Sequence, residues 1–552
     1  MATVPKTQPN MRSYEQTRGS FRWPTATHFN FATDVVDRWA ADPDLVAMRW
    51  IGDAADRAFT FRHFAERSDR LANALEELGL VAGDRVLVVL PRVVEWWEAL
   101  LGLEKARCVA MPGTTLLTTK DIAYRLEAAE ASAIIIDAAN ADKVDAVSPV
   151  PKLKAKIVVG PQRPGWSTYE MLVTKASPKR AAQPTPAHEP SLLYFTSGTT
   201  GYPKMVVHTH ASIGMGHEVT GRFWLDLRPG DLHWNISDTG WAKAAWSSFF
   251  GPWQCGATIL VQYSTGKFAA PEILRFLDTY PITTLCGPPT VYRLLVQEDL
   301  SKVKCPTLRH CVAAGEPLNP EVIETWKAAT GLVIRDGYGQ TETVILCGNF
   351  PPIEVRNGSM GKPTPGMDLA IIDDEGNRLG PGKEGDIAIR VEPDRPLGLF
   401  KEYWKNPEAM ATSFHHGWYA TGDRGLCDED GYFWFVGRAD DVIISAGYRI
   451  GPFEVESALI EHPAVAEAAA VASPDPVRGA IVKAFVVLAP GHTGSDTLVS
   501  ELQEHVKKVT APYKYPREIQ FVADLPKTIS GKIRRIDLRQ REEQRKEQRK
   551  KA

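Results

Sequence analysis

Residues Thr196 to Lys204 read Thr-Ser-Gly-Thr-Thr-Gly-Tyr-Pro-Lys, crowding hydroxyls, glycines and a lysine into one short stretch. The run ahead of it, Ser191-Leu192-Leu193-Tyr194-Phe195, has the pattern of a buried strand. Gly198 and Gly201 tolerate positive φ and let backbone N–H groups converge. Thr196, Ser197, Thr199 and Thr200 add hydroxyl donors, and Lys204 adds a positive charge. That inventory suits a polyphosphate. A lone Gly/Ser/Thr cluster is more often a plain turn, so the chemistry needs support elsewhere in the chain. The Walker loop, Gly-x4-Gly-Lys-Ser/Thr, does not fit, because the glycines are too close and Met205 follows the lysine.

Support comes from later segments. Asp336-Gly337-Tyr338-Gly339-Gln340-Thr341-Glu342 frames an aromatic with glycines and ends in a hydroxyl and a carboxylate. Tyr338 suits stacking on a purine, Thr341 a hydrogen bond to phosphate, and Glu342 a Mg2+ ion. Cys286-Gly287-Pro288 and Ala314-Gly315-Glu316-Pro317 each break a strand into a helix, at the strand ends where α/β sheets bind ligands. Gly417 to Asp423 ends in a carboxylate suited to the two hydroxyls of a ribose. Between these lies an aromatic stretch, Trp234 to Gly256, holding Trp234, Asp238, Trp241, Trp246, Phe249, Phe250 and Trp253. Such a stripe is most simply a helix packed into the core, although a pocket wall needs the same residue types.

The elements that must position these residues follow from pattern. Arg85 to Leu90 and Ala133 to Asp137 read as buried strands, with helical spacing over Phe29 to Ala40 and Val93 to Ala106, and Phe59-Thr60-Phe61 reads as a strand followed by a helical pattern through Leu78. Strands alternating with helices predict a layered α/β fold with largely parallel sheets. Val150 to Pro190, rich in Pro and Lys, reads as a surface connection. Beyond Gly358 the pattern changes to short strands, with a hairpin turn at Asp373 to Asn377. A second strand–helix pattern starts at Val442, which places a domain boundary before it. The tail, Arg539 to Lys551, is charged all round and reads as a solvated or frayed helix. With 552 residues the chain is expected to form at least two domains. A net charge of −3 gives no reason to expect a nucleic-acid partner, and no apolar run is long enough to span a bilayer. The seven cysteines are scattered and fit buried free thiols in a reducing compartment. No signal peptide is expected, so the cytoplasm is the first expectation and the mitochondrial matrix stays open.

Taken together, the phosphate loop, Ala314 to Pro317, Asp336 to Glu342, Tyr419 to Asp423, Gly437 to Gly451 and Pro526 to Lys532 resemble, in order and spacing, the adenylate-forming superfamily. Phe29 to Ala32, Ser237 to Trp241, Pro281 to Cys286 and Leu308 to Cys311 are similar to its medium-chain acyl-CoA synthetases. The resemblance implies a large N-terminal adenylate-forming domain (1–437), a hinge (438–441, pivoting at Asp440) and a small mobile α+β C-terminal domain (442–552). It implies that a medium-chain, branched or simple aromatic acid reacts with ATP and then CoA, with Mg2+, through an acyl-adenylate. An aryl-CoA ligase or a stand-alone adenylation domain is the alternative, and a non-enzymatic nucleotide-binding regulator is disfavoured. A homo-oligomer stays open.

By the same resemblance Lys532, Thr341 and Glu342 are catalytic, with Glu342 the metal ligand. Thr196, Ser197, Gly198, Thr199, Thr200 and Lys204 hold the β- and γ-phosphates. Gly315, Glu316, Pro317, Asp336, Gly337, Tyr338, Gly339 and Gln340 surround the adenine, and Asp423 with Arg438 holds the ribose. The acyl pocket is expected at Trp234, Asp238, Trp241, Gly287 and Gly339. Gly447, Tyr448 and Arg449 are expected along the CoA path.

Overall fold

The computed structural model describes residues 8–52, 55–147, 153–196, 203–263, 269–446, 448–476, 478–527 and 532–551. Continuous apolar runs form its first sheet. Arg85–Val89 is buried from Val86 onward, as a parallel strand covered on both faces must be. It pairs in parallel with Val109–Pro112 on one side and Ala133–Asp137 on the other. The far edge is antiparallel. Pro190–Thr196 turns back on Lys204–Thr209, and Glu402–Tyr403 pairs along the outside of Lys204–Thr209. This brings residues about 200 positions apart in sequence into one register, with Tyr403 opposite Val206.

A second, larger sheet carries the strands Leu232–Asn235, Thr284–Gly287, His310–Ala314 and Ile334–Tyr338 side by side and parallel. Cys347–Gly348 and Ser359–Pro363 then reverse direction. The sheet continues into antiparallel strands Phe433–Arg438, Trp418–Cys427, Glu384–Arg390 and Leu369–Ile372. The carboxyl ends of the parallel strands therefore open beside the strand that carries Asp423. The helix Phe61–Glu77 shows how the layers are covered. Thr60 caps it by accepting from the His63 amide, and Phe61, Phe64, Leu71 and Leu75 turn inward at helical spacing.

After Arg438 a smaller α+β unit begins. It has a hairpin, Ile443–Ser445 with Tyr448–Ile450, and a sheet of Val465–Asp475, Gly479–Leu488 and Glu518–Phe521. The helices Pro452–Ile460 and Asp496–Val509 pack on its core through Val455, Leu459, Leu502 and Val506. None of the described helices is long and apolar enough to cross a membrane. All seven cysteines are free.

Three expectations are corrected by this architecture. The stretch 150–190 is more than a connection. It contains the strand Ala155–Val159 and the helix Tyr169–Lys175, because Ile157, Val158, Tyr169 and Val173 are buried in apolar surroundings and outweigh the prolines and lysines around them. Trp234 lies in a strand, stacked on Phe276, and the helical part of the aromatic stretch starts only at Ala242. The charged tail is neither frayed nor solvated all round. Helix Arg535–Lys551 buries Leu538 and Glu542 against the small sheet, both 1% exposed. The Glu542 carboxylate accepts from Ser473 Oγ at 2.8 Å and Lys483 Nζ at 2.6 Å. Charge alone hides this, because a buried ion pair places one partner on each element.

Burial alone would raise the Glu542 pKa, but Arg545, Lys483 and Ser473 more than offset it and hold it at about 2. Its removal leaves Lys483, itself 2% exposed, with only Glu518 at 3.9 Å. Glu542→Ala is expected to destabilise the small domain by about 3–5 kcal/mol, the usual cost of stranding a buried charge. Guanidinium unfolding followed by circular dichroism measures it. A loss below about 1 kcal/mol would mean that water screens the pair.

Candidate functional site

Thr196 and Lys204 are register partners at the end of a hairpin, with Thr196 Oγ1 donating to the Lys204 carbonyl at 3.4 Å. The glycine-rich loop thus joins two antiparallel strands. A Walker loop leads into a helix instead. Ser197, Gly198, Thr199, Thr200 and Gly201 lie outside the described residues. The Lys204 ammonium rests over the ring of Tyr403, 4.8 Å from its centre.

The strand Ile334–Tyr338 delivers the next group of side chains. Its last residue, Tyr338, donates its hydroxyl to Asp423 Oδ2 at 2.5 Å. Gln340 Nε2 donates to the same oxygen at 2.7 Å and to the Thr421 carbonyl at 2.9 Å. Arg438 stands 3.3 Å from Asp423 Oδ1. Burial pushes the Asp423 pKa up, and Arg438, Tyr338, Gln340 and Lys532 pull it back. Lys532, from the small domain, is thus one of the positive charges acting on this carboxylate of the large one. One hydrogen bond crosses between the domains, Asn319 to Ser457 at 3.1 Å, and Arg539 of the small domain donates to the carbonyl of Asp440, just after Arg438.

Glu342 sits on the turn that follows. Its Oε1 accepts from Tyr403 Oη at 2.9 Å, and its carbonyl accepts from the Phe400 amide at 2.8 Å. Burial raises its pKa, opposed by Tyr403 and Lys204. The Thr341 carbonyl is 2.7 Å from His208 Nε2. A carbonyl only accepts, so Nε2 carries the proton and Nδ1 accepts from Ser212 Oγ at 3.3 Å. Burial pushes the His208 pKa down to about 4, which keeps that neutral tautomer at pH 7. Among the described residues no group of three or more His, Cys, Asp or Glu is placed to hold a metal ion. A single hard carboxylate completed by substrate phosphates fits Mg2+, which seldom takes an all-protein cage.

The neighbouring backbone is kept bare. Gly315 ends the strand His310–Ala314 at φ +108, and a Cβ there would meet nothing within 4 Å. At Gly337 a Cβ would lie 2.6 Å from the Trp224 ring, and at Gly339 one would lie 2.9 Å from the Trp246 ring. Two indoles therefore stand over alternate residues of this segment. Asp336 is 5% exposed, and burial pushes its pKa up to about 8 against the Gly337 amide that donates to it.

The structure thus brings Lys204, Tyr338, Gln340, Thr341, Glu342, Asp423, Arg438 and Lys532 to one mouth. Other predicted residues stand apart from it. The Glu316 carboxylate is held by Arg293 and Thr290, both at 2.8 Å. Asp238 Oδ1 accepts from the Gly240 amide in a turn, and Trp241 precedes the helix Ala242–Ala245. Gly287 leaves space, its nearest neighbour 3.5 Å from a Cβ. Gly447 and the Arg449 side chain lie outside the described residues. Tyr448 is 54% exposed and stacks on Tyr513 at 4.5 Å. Sequence pattern does not single out Tyr403, His208, Trp224 or Trp246 as parts of this mouth. Only the non-local pairing of Glu402–Tyr403 with Lys204–Thr209 puts Tyr403 there.

The family profile described as AMP-binding enzyme matches residues 35–404, and that of the AMP-binding enzyme C-terminal domain matches 454–532. The chain belongs to the AMP-binding enzymes. Within them it falls among the acyl-CoA synthetases, which join a carboxylic acid to CoA with ATP by way of an acyl-adenylate. It is 50% identical to the mitochondrial acyl-coenzyme A synthetase ACSM3 of Homo sapiens over 548 residues, covering 97% of this chain and 93% of that one. It is also 50% identical to the mitochondrial ACSM4 of Homo sapiens, over 94% of this chain and 91% of that one. Among solved structures, an acyl-CoA synthetase of Brucella canis matches with a TM-score of 0.75 at 36% identity, covering 97% of this chain and 100% of that one. The anthranilate CoA ligase AuaEII in complex with anthranoyl-AMP matches with a TM-score of 0.85 at 30% identity, covering 94% and 98%.

Asp336 yields a pH test. Its folded pKa is raised, so the folded state holds a proton that the unfolded state releases above about 4. Native stability therefore carries a penalty that grows as pH rises toward 8. Asp336→Asn removes the titration. Its stability relative to the native protein should improve from pH 5 to pH 8, read from urea midpoints. A difference independent of pH would show that Asp336 stays ionised.

Proposed function

We propose that this acyl-CoA synthetase acts on a medium-chain, branched or simple aromatic acid, with Lys532 as the cation of the first half-reaction. What supports the assignment is that Lys532 is among the positive groups acting on the Asp423 carboxylate, together with the family resemblance of Pro526 to Lys532. In that step an oxygen of the acid attacks the α-phosphorus and the bond to the β-phosphate oxygen breaks, releasing pyrophosphate. Two anions must meet, so the step needs positive charge at the point of attack. Lys532 supplies it and Thr341 donates to the α-phosphate. Thr196, the loop after it and Lys204 hold the departing phosphates, and Asp423 with Arg438 holds the ribose. Mg2+ bound at Glu342 would neutralise further phosphate charge. In the second step the CoA sulfur attacks the acyl carbon, AMP leaves and the thiol proton is released.

We take 1–437 as the large domain, 438–441 as the linker and 442–552 as the mobile domain. Rotation at Asp440 would exchange Lys532 for the hairpin of Tyr448 at the site. The free thiols and the mitochondrial relatives together support a reducing compartment, the cytoplasm or the mitochondrial matrix. CoA consumption separates this reading from a stand-alone adenylation domain.

Lys532→Ala is expected to abolish acid-dependent pyrophosphate release while leaving ATP binding in place. Release within tenfold of the native rate at saturating acid would remove Lys532 from the chemistry.

Trp246, whose ring fills the side of Gly339, is the wall expected to limit the acid. Trp246→Ala should shift kcat/KM toward bulkier acids, by about 1–3 kcal/mol per added methylene. A less stable variant with unchanged preference would mean that Trp246 is packing alone.

A further inference from the structure

Tyr403 is 4% exposed, and besides its contacts with Tyr419 and Ser413 its phenol meets both charged groups of the mouth. The hydroxyl donates to Glu342 Oε1 at 2.9 Å. The ring face carries the Lys204 ammonium at 4.8 Å. The backbone around it is tied to both partners. Lys401 and Trp404 amides donate to the carbonyls of Val207 and Met205 at 2.7 and 2.8 Å, on the strand that begins with Lys204. The Phe400 amide donates to the Glu342 carbonyl, and the Phe400 ring packs against Tyr403 at 4.7 Å. The tyrosine is therefore fixed in place and in rotation.

Its position answers a physical problem. Lys204 and Glu342 carry opposite charges at one mouth, and a direct ion pair would neutralise both before substrate arrived. With the phenol between them, the lysine is held by a ring face and the carboxylate by a hydroxyl. Glu342 Oε1 is occupied, which leaves Oε2 for a ligand. Both contacts keep the charges available, because a ring face and a neutral hydroxyl stabilise an ion without cancelling it.

We propose that Tyr403 is a positioning residue for the polyphosphate and its divalent cation, setting the spacing between the carboxylate at Glu342 and the lysine at Lys204. The inference rests on the function proposed above for these two residues. The two contacts can be removed separately. Tyr403→Phe keeps the ring and deletes the hydroxyl. Tyr403→Leu deletes both.

The test is calorimetric binding of a non-hydrolysable ATP analogue to the full-length protein, with saturating Mg2+ and with EDTA, alongside Mg2+ titration of pyrophosphate release and a melting curve. In Tyr403→Phe the Mg2+ concentration giving half-maximal binding enhancement should rise about tenfold, as for loss of a partner that orients a metal ligand. Affinity in EDTA, KM for the acid and the melting temperature should stay near native. Tyr403→Leu should in addition lose about fivefold in EDTA, since the seat of Lys204 is gone. An unchanged Mg2+ dependence in Tyr403→Phe, or an equal loss with and without Mg2+, overturns the proposal. Failure of the native protein to release pyrophosphate with any acid would overturn the function instead, and the binding arm would still decide the role of Tyr403.

Discussion

Two carboxylates, Glu342 and Asp423, are taken out of water at one mouth, where the proposed function places an anionic nucleotide. Burial pushes the pKa of Glu342 and of Asp423 up, toward the neutral form. A protonated Asp423 would be a poorer acceptor for sugar hydroxyls, and a protonated Glu342 would bind no cation. Each is therefore surrounded by donors. Tyr338, Gln340 and Arg438 converge on Asp423, while Tyr403 serves Glu342. Tyr419 joins the two groups by donating to Gln340 Oε1 at 3.2 Å. The donors to Asp423 come from strands of the second sheet and the turn after one of them, while Tyr403 comes from the first, so the pair of carboxylates draws on both sheets.

The same demand shapes the apolar side. Gly337 and Gly339 bear no side chain because Trp224 and Ile345 crowd the first and the Val344 carbonyl and Trp246 the second. Protein interiors pack with few voids, so such a fit leaves little freedom to move either partner alone.

Motifs that are local in the chain are legible from sequence alone. The strands Arg85–Val89 and Ala133–Asp137 are continuous apolar runs, and Tyr338 to Glu342 carries its functional groups within a few residues. Contacts made by pairing distant segments are not legible in that way. Tyr403 stands in an ordinary Glu-Tyr-Trp, and its importance depends on the register with Val206. Trp246 reads like any core aromatic of its stretch, since burial and pocket lining call for the same residue type. Glu542 reads as solvated because its partners, Lys483 and Ser473, lie elsewhere in the chain. The acid itself stays unread for a related reason, as pocket shape is summed over many such distant contacts.

The closing helix begins three residues after Lys532 and runs 17 residues, about 25 Å at 1.5 Å per residue. Arg539 in its second turn grips the Asp440 carbonyl and the Asp441 carboxylate, so its first half lies beside the proposed pivot. Arg545 and Lys546 clamp its second half to Glu518 of the small sheet, so the helix turns as one piece with that domain. It is a lever arm with its fulcrum beside the proposed pivot at Asp440. A modest turn at the pivot becomes a longer sweep at the far end, where a fluorescent or spin label would report domain motion without touching the chemistry.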